Sequence, residues 1–223
     1  MMLTTEIDAA VARKHLLQHP FYRAWEDGRL TSEMLQRYAE QYYQHVAAFP
    51  RYLSAIHTQT EDLATRQLLL ENLTDEEAGD RNHPELWLRF AEGLGLTRAQ
   101  VQDAAALPET AEVDRRFREI CGARGPLAGL AALYAYESQV PSVAVSKIDG
   151  LKAHYGIEDE RTLDFFTTHI QADEWHAEVT RNLLASASDA ERDDAMRAVE
   201  DALDALYLLL DGVWNTYCQE AAA

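Results

Sequence analysis

The chain has 223 residues, with 38 acidic against 20 basic side chains, a formal net charge of −18 and a pI near 4.7. A 47% hydrophobic and 26% charged composition excludes a disordered chain and is enough to close one core, so residues 1–223 read as a single domain. The acidity excludes nucleic acid and anionic membrane as targets, since both demand a cationic footprint, and two cysteines, Cys121 and Cys218, are too few for a disulfide framework or a zinc ribbon.

The N-terminal MMLTTEIDAA carries an acid where an export signal carries bases, and it lacks an apolar core, so a cytoplasmic location is expected. Apolar residues then recur at helical spacing nearly everywhere, with no strand alternation. Thr4–His19 reads as a first helix stopped by Pro20. Thr31 reads as the N-cap of a long second one, striped by Leu35, Tyr38, Tyr42, His45, Phe49, Tyr52 and Ile56 and kinked by Pro50. A third helix runs from about Glu61 to near Gly79, and Pro84 opens a fourth that closes at Gly93 or Gly95. Short pieces follow at Arg98–Ala104 and Glu109–Ala123. Pro126 opens a long apolar helix, interrupted at Pro141 and finished near Gly150 or Gly156. Its stretch Leu127–Val145 approaches the length of a membrane span, but Glu137, Ser138, Gln139 and Pro141 sit in the middle, so it reads as a core helix. Asp159–Ala187 and Asp189–Glu220 complete an all-α bundle, the last striped by Met196, Val199, Leu203, Leu206, Leu210 and Val213.

Three of these helices carry ionisable residues where core residues belong. On Asp159–Ala187 the inward stripe reads Phe166, His169, Asp173, His176, Thr180, Leu183, and positions 169, 173 and 176 lie within about 60° of one another. Glu137 is the one charged side chain between Pro126 and Ser146. A lone buried carboxylate there must be paired, protonated or metal-bound, and Pro141 leaves its carbonyl without a helical partner. In LENLTDEEAGDRNHPELW, Glu76 continues the stripe of Leu69 and Leu73, Glu77 lies on the neighbouring face, and His83 is biased to an extended conformation by Pro84. Spacing does not choose between the two glutamates. Carboxylates and imidazoles from facing helices suit two divalent iron or manganese ions. The Glu-x-x-His pair of ferritin-type sites, HExxH, a glycine-rich phosphate loop and GxSxG are all missing from the sequence.

The segments ENLTDEEAGDRNHPELW, YESQVPSVAVSKIDGL and FFTTHIQADEWHAE resemble the family of the Chlamydia protein associating with death domains. That family belongs to the haem-oxygenase-like di-metal oxidases and is related in fold to the quinone-cofactor oxidase and thiaminase II proteins. The resemblance covers essentially the whole chain. It implies a seven-helix haem-oxygenase-like bundle holding two metal ions, Fe/Fe or Mn/Fe, on Glu76, His83, Glu137, His169, Asp173 and His176, and so selects Glu76 over Glu77. It further implies O2-dependent formation of p-aminobenzoate for folate synthesis, driven by an external reductant whose donor is unidentified. In that chemistry Tyr22 is the sacrificed ring, Lys147 the amino donor, and Tyr38, Tyr136 and Trp87 candidates for radical transfer. A homodimer is the family-level expectation.

Lys147 has a signal of its own. Lysines are scarce, Lys14, Lys147 and Lys152, and Lys147 is the first base after Gly125, in an apolar helix. There it either snorkels at a helix end or is buried and loses its proton. Tyr22, beside Phe21 and Trp25, reads from the residues as core packing, and only the resemblance raises it. His45 reads as a hydrogen-bonded core histidine, both cysteines as core residues, and His15 or His19 as a haem ligand only if the di-metal set is left unexplained. Two other functions remain compatible with the chain: a di-metal oxygenase acting on an external fatty acid or amino acid, and a non-enzymatic interaction module.

Overall fold

The structure, a computed structural model, describes the backbone of residues 2–185 and 187–222 and, within them, every side chain except those of 171–176, 189, 190 and 222. The described residues form eleven α-helices and short 3-10 turns, with no strand among them. The helices are α1 (Leu3–Arg13), α2 (Pro20–Glu26), α3 (Ser32–Gln59), α4 (Leu63–Glu77), α5 (His83–Gly93), α6 (Arg98–Gln102), α7 (Pro108–Ala123), α8 (Pro126–Glu137), α9 (Val140–Tyr155), α10 (Glu160–Leu184) and α11 (Asp189–Tyr217).

They outnumber the seven of the expected bundle where local chemistry cuts the chain. The first helix stops at Arg13 rather than His19, because Gln139 Oε1 accepts the Leu16 N–H at 2.8 Å and the His15 ring accepts that of Leu17 at 3.2 Å. His19 then caps α2, its Nδ1 accepting the Phe21 N–H at 3.1 Å, and Pro20 opens that helix where its missing N–H costs nothing. Both histidines are thus occupied as caps. The apolar stretch divides at Ser138–Gln139, leaving α8 and α9. Gly156, in the left-handed conformation (φ 66°), ends α9, whereas Gly150 lies inside it.

Pro50 lies inside α3, and one further expectation changes. His83 is the first residue of α5 rather than an extended residue before it, because Asn82 is the cap and accepts the Glu85 N–H at 2.9 Å. Thr31 caps α3 as its sequence predicts.

Helix α8 lies at the centre, with every residue from Ala128 to Glu137 buried, as an all-round apolar helix must be. Helix α11 packs on α8 and α7, α3 on α7, α4 and α5, and α10 on α9, α5 and α8. Five residues of the α11 stripe are buried and Met196 packs against them. No helix of the described residues is long and apolar enough to cross a membrane.

Candidate active site

Helix α4 delivers Glu76, buried in its last turn, while Glu77 one residue on is exposed. His83, fixed at the start of α5, places Nδ1 2.8 Å from Glu76 Oε2. His169 comes from α10, its ring 4.2 Å from that of His83 between centroids. Its Nδ1 lies 2.6 Å from the Phe165 carbonyl. That nitrogen therefore carries the proton and Nε2 the lone pair, the arrangement of a histidine prepared for a metal. One ligand atom from each of Glu76, His83 and His169 lies within 4.8 Å of the others, and all three residues are buried. A carboxylate and two imidazoles, one with its tautomer fixed, are a donor set that fits iron or manganese.

Glu137, 2% exposed, is not in the set that converges within 4.8 Å. It is tied to α4 by Asn72, whose Nδ2 donates to Glu137 Oε1 at 3.0 Å. The carboxylate thus sits at the broken turn between α8 and α9, one helical turn of α4 from Glu76. Asp173 and His176 fall on α10, but their side chains lie outside the described residues.

Beside this cluster lies a closed aromatic chamber. Tyr22, Trp25, Tyr38 and Trp87 are fully buried, and Lys147 enters among them from α9. Its Nζ donates to Tyr38 Oη at 2.7 Å, and Tyr38 Oη lies 3.2 Å from Tyr22 Oη. The same Nζ stands 4.8 Å from the ring centroid of Tyr42, 5.5 Å from Tyr22 and 5.5 Å from Trp87. Burial pulls the Lys147 pKa down to about 7, since an ammonium loses its hydration there. Burial likewise holds the phenols of Tyr22 and Tyr38 well above their ordinary range, and so protonated. Lys147 does not snorkel.

The chamber touches the metal cluster through rings. Trp87 packs on Tyr38 (5.9 Å), Tyr42 (4.9 Å) and Phe165 (4.7 Å), and Phe165 lies 4.0 Å from His169. Tyr136, one residue before Glu137, bonds Tyr42 through the two hydroxyls at 2.7 Å. Sequence reasoning passed over Tyr42 and Asn72, although Tyr42 follows Tyr38 by one turn and Asn72 precedes Glu76 by one. Each is a polar group on an inward stripe. His45 overturns its expectation: neither ring nitrogen has a hydrogen-bond partner, because Tyr42, Phe49, Tyr52, Phe117 and Tyr136 enclose it with ring faces and edges. Burial lowers its pKa to about 4, so it is neutral. Cys121 and Cys218 are buried and free, and burial raises both thiols, which makes them poor nucleophiles.

Residues 36–208 match a family described as iron-containing redox enzymes of the haem oxygenase type. The chain is 44% identical over 224 residues to a 4-aminobenzoate synthase of Nitrosomonas europaea, covering 96% of this chain and 91% of that protein. It is 40% identical to a 4-aminobenzoate synthase of Chlamydia muridarum, covering 95% and 89%. Among solved structures, a TenA homologue of Pseudomonas syringae pv. tomato superposes with a TM-score of 0.79 at 18% identity, over 96% of this chain and 91% of that one.

Proposed function

The chain belongs to the iron-containing redox enzymes of haem-oxygenase-like fold that include the 4-aminobenzoate synthases, and on that premise we propose that it makes 4-aminobenzoate from its own Tyr22 and Lys147. The observation that carries this reading is the buried Lys147 amine, joined through Tyr38 to the hydroxyl of Tyr22. In tyrosine the hydroxyl stands para to Cβ, as the amino group stands para to the carboxyl in the product. Nitrogen therefore has to arrive at the hydroxyl end of the ring, and that is the end joined to Lys147 Nζ through Tyr38 Oη.

Glu76, His83 and His169, with Glu137, Asp173 and His176, are the residues that would hold two ions, Fe/Fe or Mn/Fe. Those ions supply, with O2 and an external reductant, the oxidising power that a phenol ring requires. The chain's own residues do the rest. Tyr38 orients the amine and the phenol toward each other and offers a path for the phenolic proton. A pKa of about 7 leaves a large share of Lys147 as the free amine near neutral pH, able to attack carbon. Trp87 and Phe165 bridge the chamber to His169, which gives electrons a packed route from Tyr22 to the metal ligands. Tyr136 reaches that route through Tyr42. The closed ring wall excludes bulk water from the oxidised side chains.

The test is isotopic. Protein carrying ring-13C tyrosine and 15N lysine, loaded with iron and given reductant and O2, yields product labelled in both ring and nitrogen. Unlabelled product, or wild-type yield from Tyr22→Phe, contradicts the reading and favours an external substrate.

A further inference from the structure

We infer that Tyr52 and Asp114 form a port through which stray oxidising equivalents leave the aromatic chamber, to be quenched by a small anionic reductant in the cleft between α3 and α7. This rests on the oxidative reading above. Oxidising one tyrosine among Tyr38, Tyr42 and Trp87 puts several equally oxidisable rings at risk, and a hole that misses Tyr22 has to be removed without destroying them.

The contacts run outward in small steps. Trp87 packs 4.9 Å from Tyr42, Tyr42 5.8 Å from His45, and His45 5.9 Å from Tyr52. A parallel path goes from Tyr136 to Phe49 at 5.5 Å and on to Tyr52 at 6.1 Å. The Tyr52 ring is fully buried, yet its hydroxyl donates at 3.0 Å to Asp114 Oδ1, whose side chain is 34% exposed. A phenol that loses an electron becomes a strong acid, so a carboxylate already bonded to it lowers the cost of oxidation. Tyr134 also bonds a carboxylate, Asp8, at 2.6 Å, but its ring joins no ring contact of the chamber among the described residues.

The step balances. An electron passes from Tyr52 to the radical cation of Trp87, which returns to neutral indole, and the Tyr52 proton moves to Asp114. Neutral tyrosyl and a carboxylic acid remain. One electron from the reductant and the proton returned by Asp114 then restore phenol and carboxylate, leaving the reductant oxidised by one electron. The original hole is the one that iron held by Glu76, His83 and His169 would supply with O2 under the functional reading above.

Asp114 opens on a cleft of about 290 Å³ flanked by Gln44, Arg51 and Arg118. Arg118 is paired with Asp114 at 2.8 Å, so the excess positive charge of the cleft is that of Arg51, set in a protein of net charge −18, and it favours an anion. Proton transfer to Asp114 removes the one negative charge, so attraction for the anion rises when the hole has arrived. The two elements of the port, a carboxylate-bonded tyrosine and a cationic cleft, meet at Asp114.

The experiment compares wild type, Tyr52→Phe, Asp114→Asn and Arg51→Glu, each loaded with iron and mixed with O2 without reductant, then freeze-quenched for electron paramagnetic resonance and peptide mapping. Wild type is expected to show a tyrosyl signal that Tyr52→Phe and Asp114→Asn lose, with several-fold more oxidation of Trp87 and Tyr42 in both. Ascorbate is expected to quench the wild-type signal, several-fold more slowly in Arg51→Glu, while the cationic reductant tetramethyl-p-phenylenediamine is not slowed. Ring loss at Tyr22 with the same radical and oxidation map in both port variants overturns the port alone. Ascorbate quenching that ignores Arg51→Glu overturns the cleft. No Tyr22 loss in wild type when reductant is added to the same iron-loaded, oxygenated protein overturns the functional reading and the port with it, and Tyr22 loss without any tyrosyl radical in wild type overturns the port alone.

Discussion

Replacing Lys147 by methionine should stabilise the protein strongly at pH 7 and much less at pH 9. The Lys147 amine has an ordinary pKa of 10.5 and is pulled to about 7 by burial in the folded chain. Between those values the unfolded chain binds a proton that the folded chain does not, so stability rises with pH through that window. Below the folded pKa both states are protonated and the full cost of the buried charge is present. A shift of 3.5 units spans about 5 kcal/mol. Linkage then makes the cost of Lys147 about 4 kcal/mol at pH 7 and about 2 kcal/mol at pH 9. Methionine removes that cost and fills the same apolar space. It also forfeits the hydrogen bond to Tyr38, which lowers the gain by about 1 kcal/mol at both pH values. The quantity to read is therefore the change of about 2 kcal/mol in the stability difference between pH 7 and pH 9, measured by denaturant unfolding of the metal-free proteins. A stability difference that stays constant across that window, or a wild type that is the more stable protein at pH 7, would refute a neutral, buried amine. It would also remove the nucleophile from the proposed chemistry.

Three other outcomes follow from the same geometry. His169→Ala and Glu76→Gln each take one donor from the buried trio, and iron affinity should fall at least about 10–100-fold, read by metal analysis on protein whose helical circular dichroism is unchanged. Tyr38→Phe keeps the ring and removes the hydroxyl between Lys147 and Tyr22. It should cost about 1–3 kcal/mol in unfolding free energy, because Lys147 Nζ loses its acceptor, and should lower product yield per protein about tenfold or more by misplacing the amine. Gly150→Ala puts a Cβ 2.6 Å from Trp25 Cδ1. It should destabilise by about 1–3 kcal/mol, visible as a lower Tm and a changed tryptophan fluorescence, because the Trp25 indole is anchored to the Lys147 carbonyl at 3.2 Å.

The all-α class and the inward placement of Glu137 and His169 were legible in the sequence because helical periodicity and an apolar run report faces, whereas spacing left Glu76 and Glu77 open and only the family resemblance chose between them. An ionisable residue in place of a leucine stands out on a stripe. The neighbourhood of Lys147 was only half legible. Its isolation in an apolar helix marked it, but whether it snorkelled depended on which rings α2, α3 and α5 brought to it, and that is tertiary packing. Tyr22 carried no local mark, since a buried tyrosine is usually packing; its meaning comes from Tyr38 and Lys147, neighbours distant in sequence. His45 misled because a stripe position gives burial without partners. The helix boundaries at Arg13 and His83 were missed for a related reason: the side chains that set them, Gln139 and Asn82, act through hydrogen bonds that periodicity does not record.

The claim that the protein consumes its own side chains is tested most directly by peptide mass mapping of the chain after one round with iron, reductant and O2. Residue 22 should then lack its aromatic ring and residue 147 its amino nitrogen, each in an amount equal to the 4-aminobenzoate released. Product formed while Tyr22 and Lys147 remain intact would contradict the account.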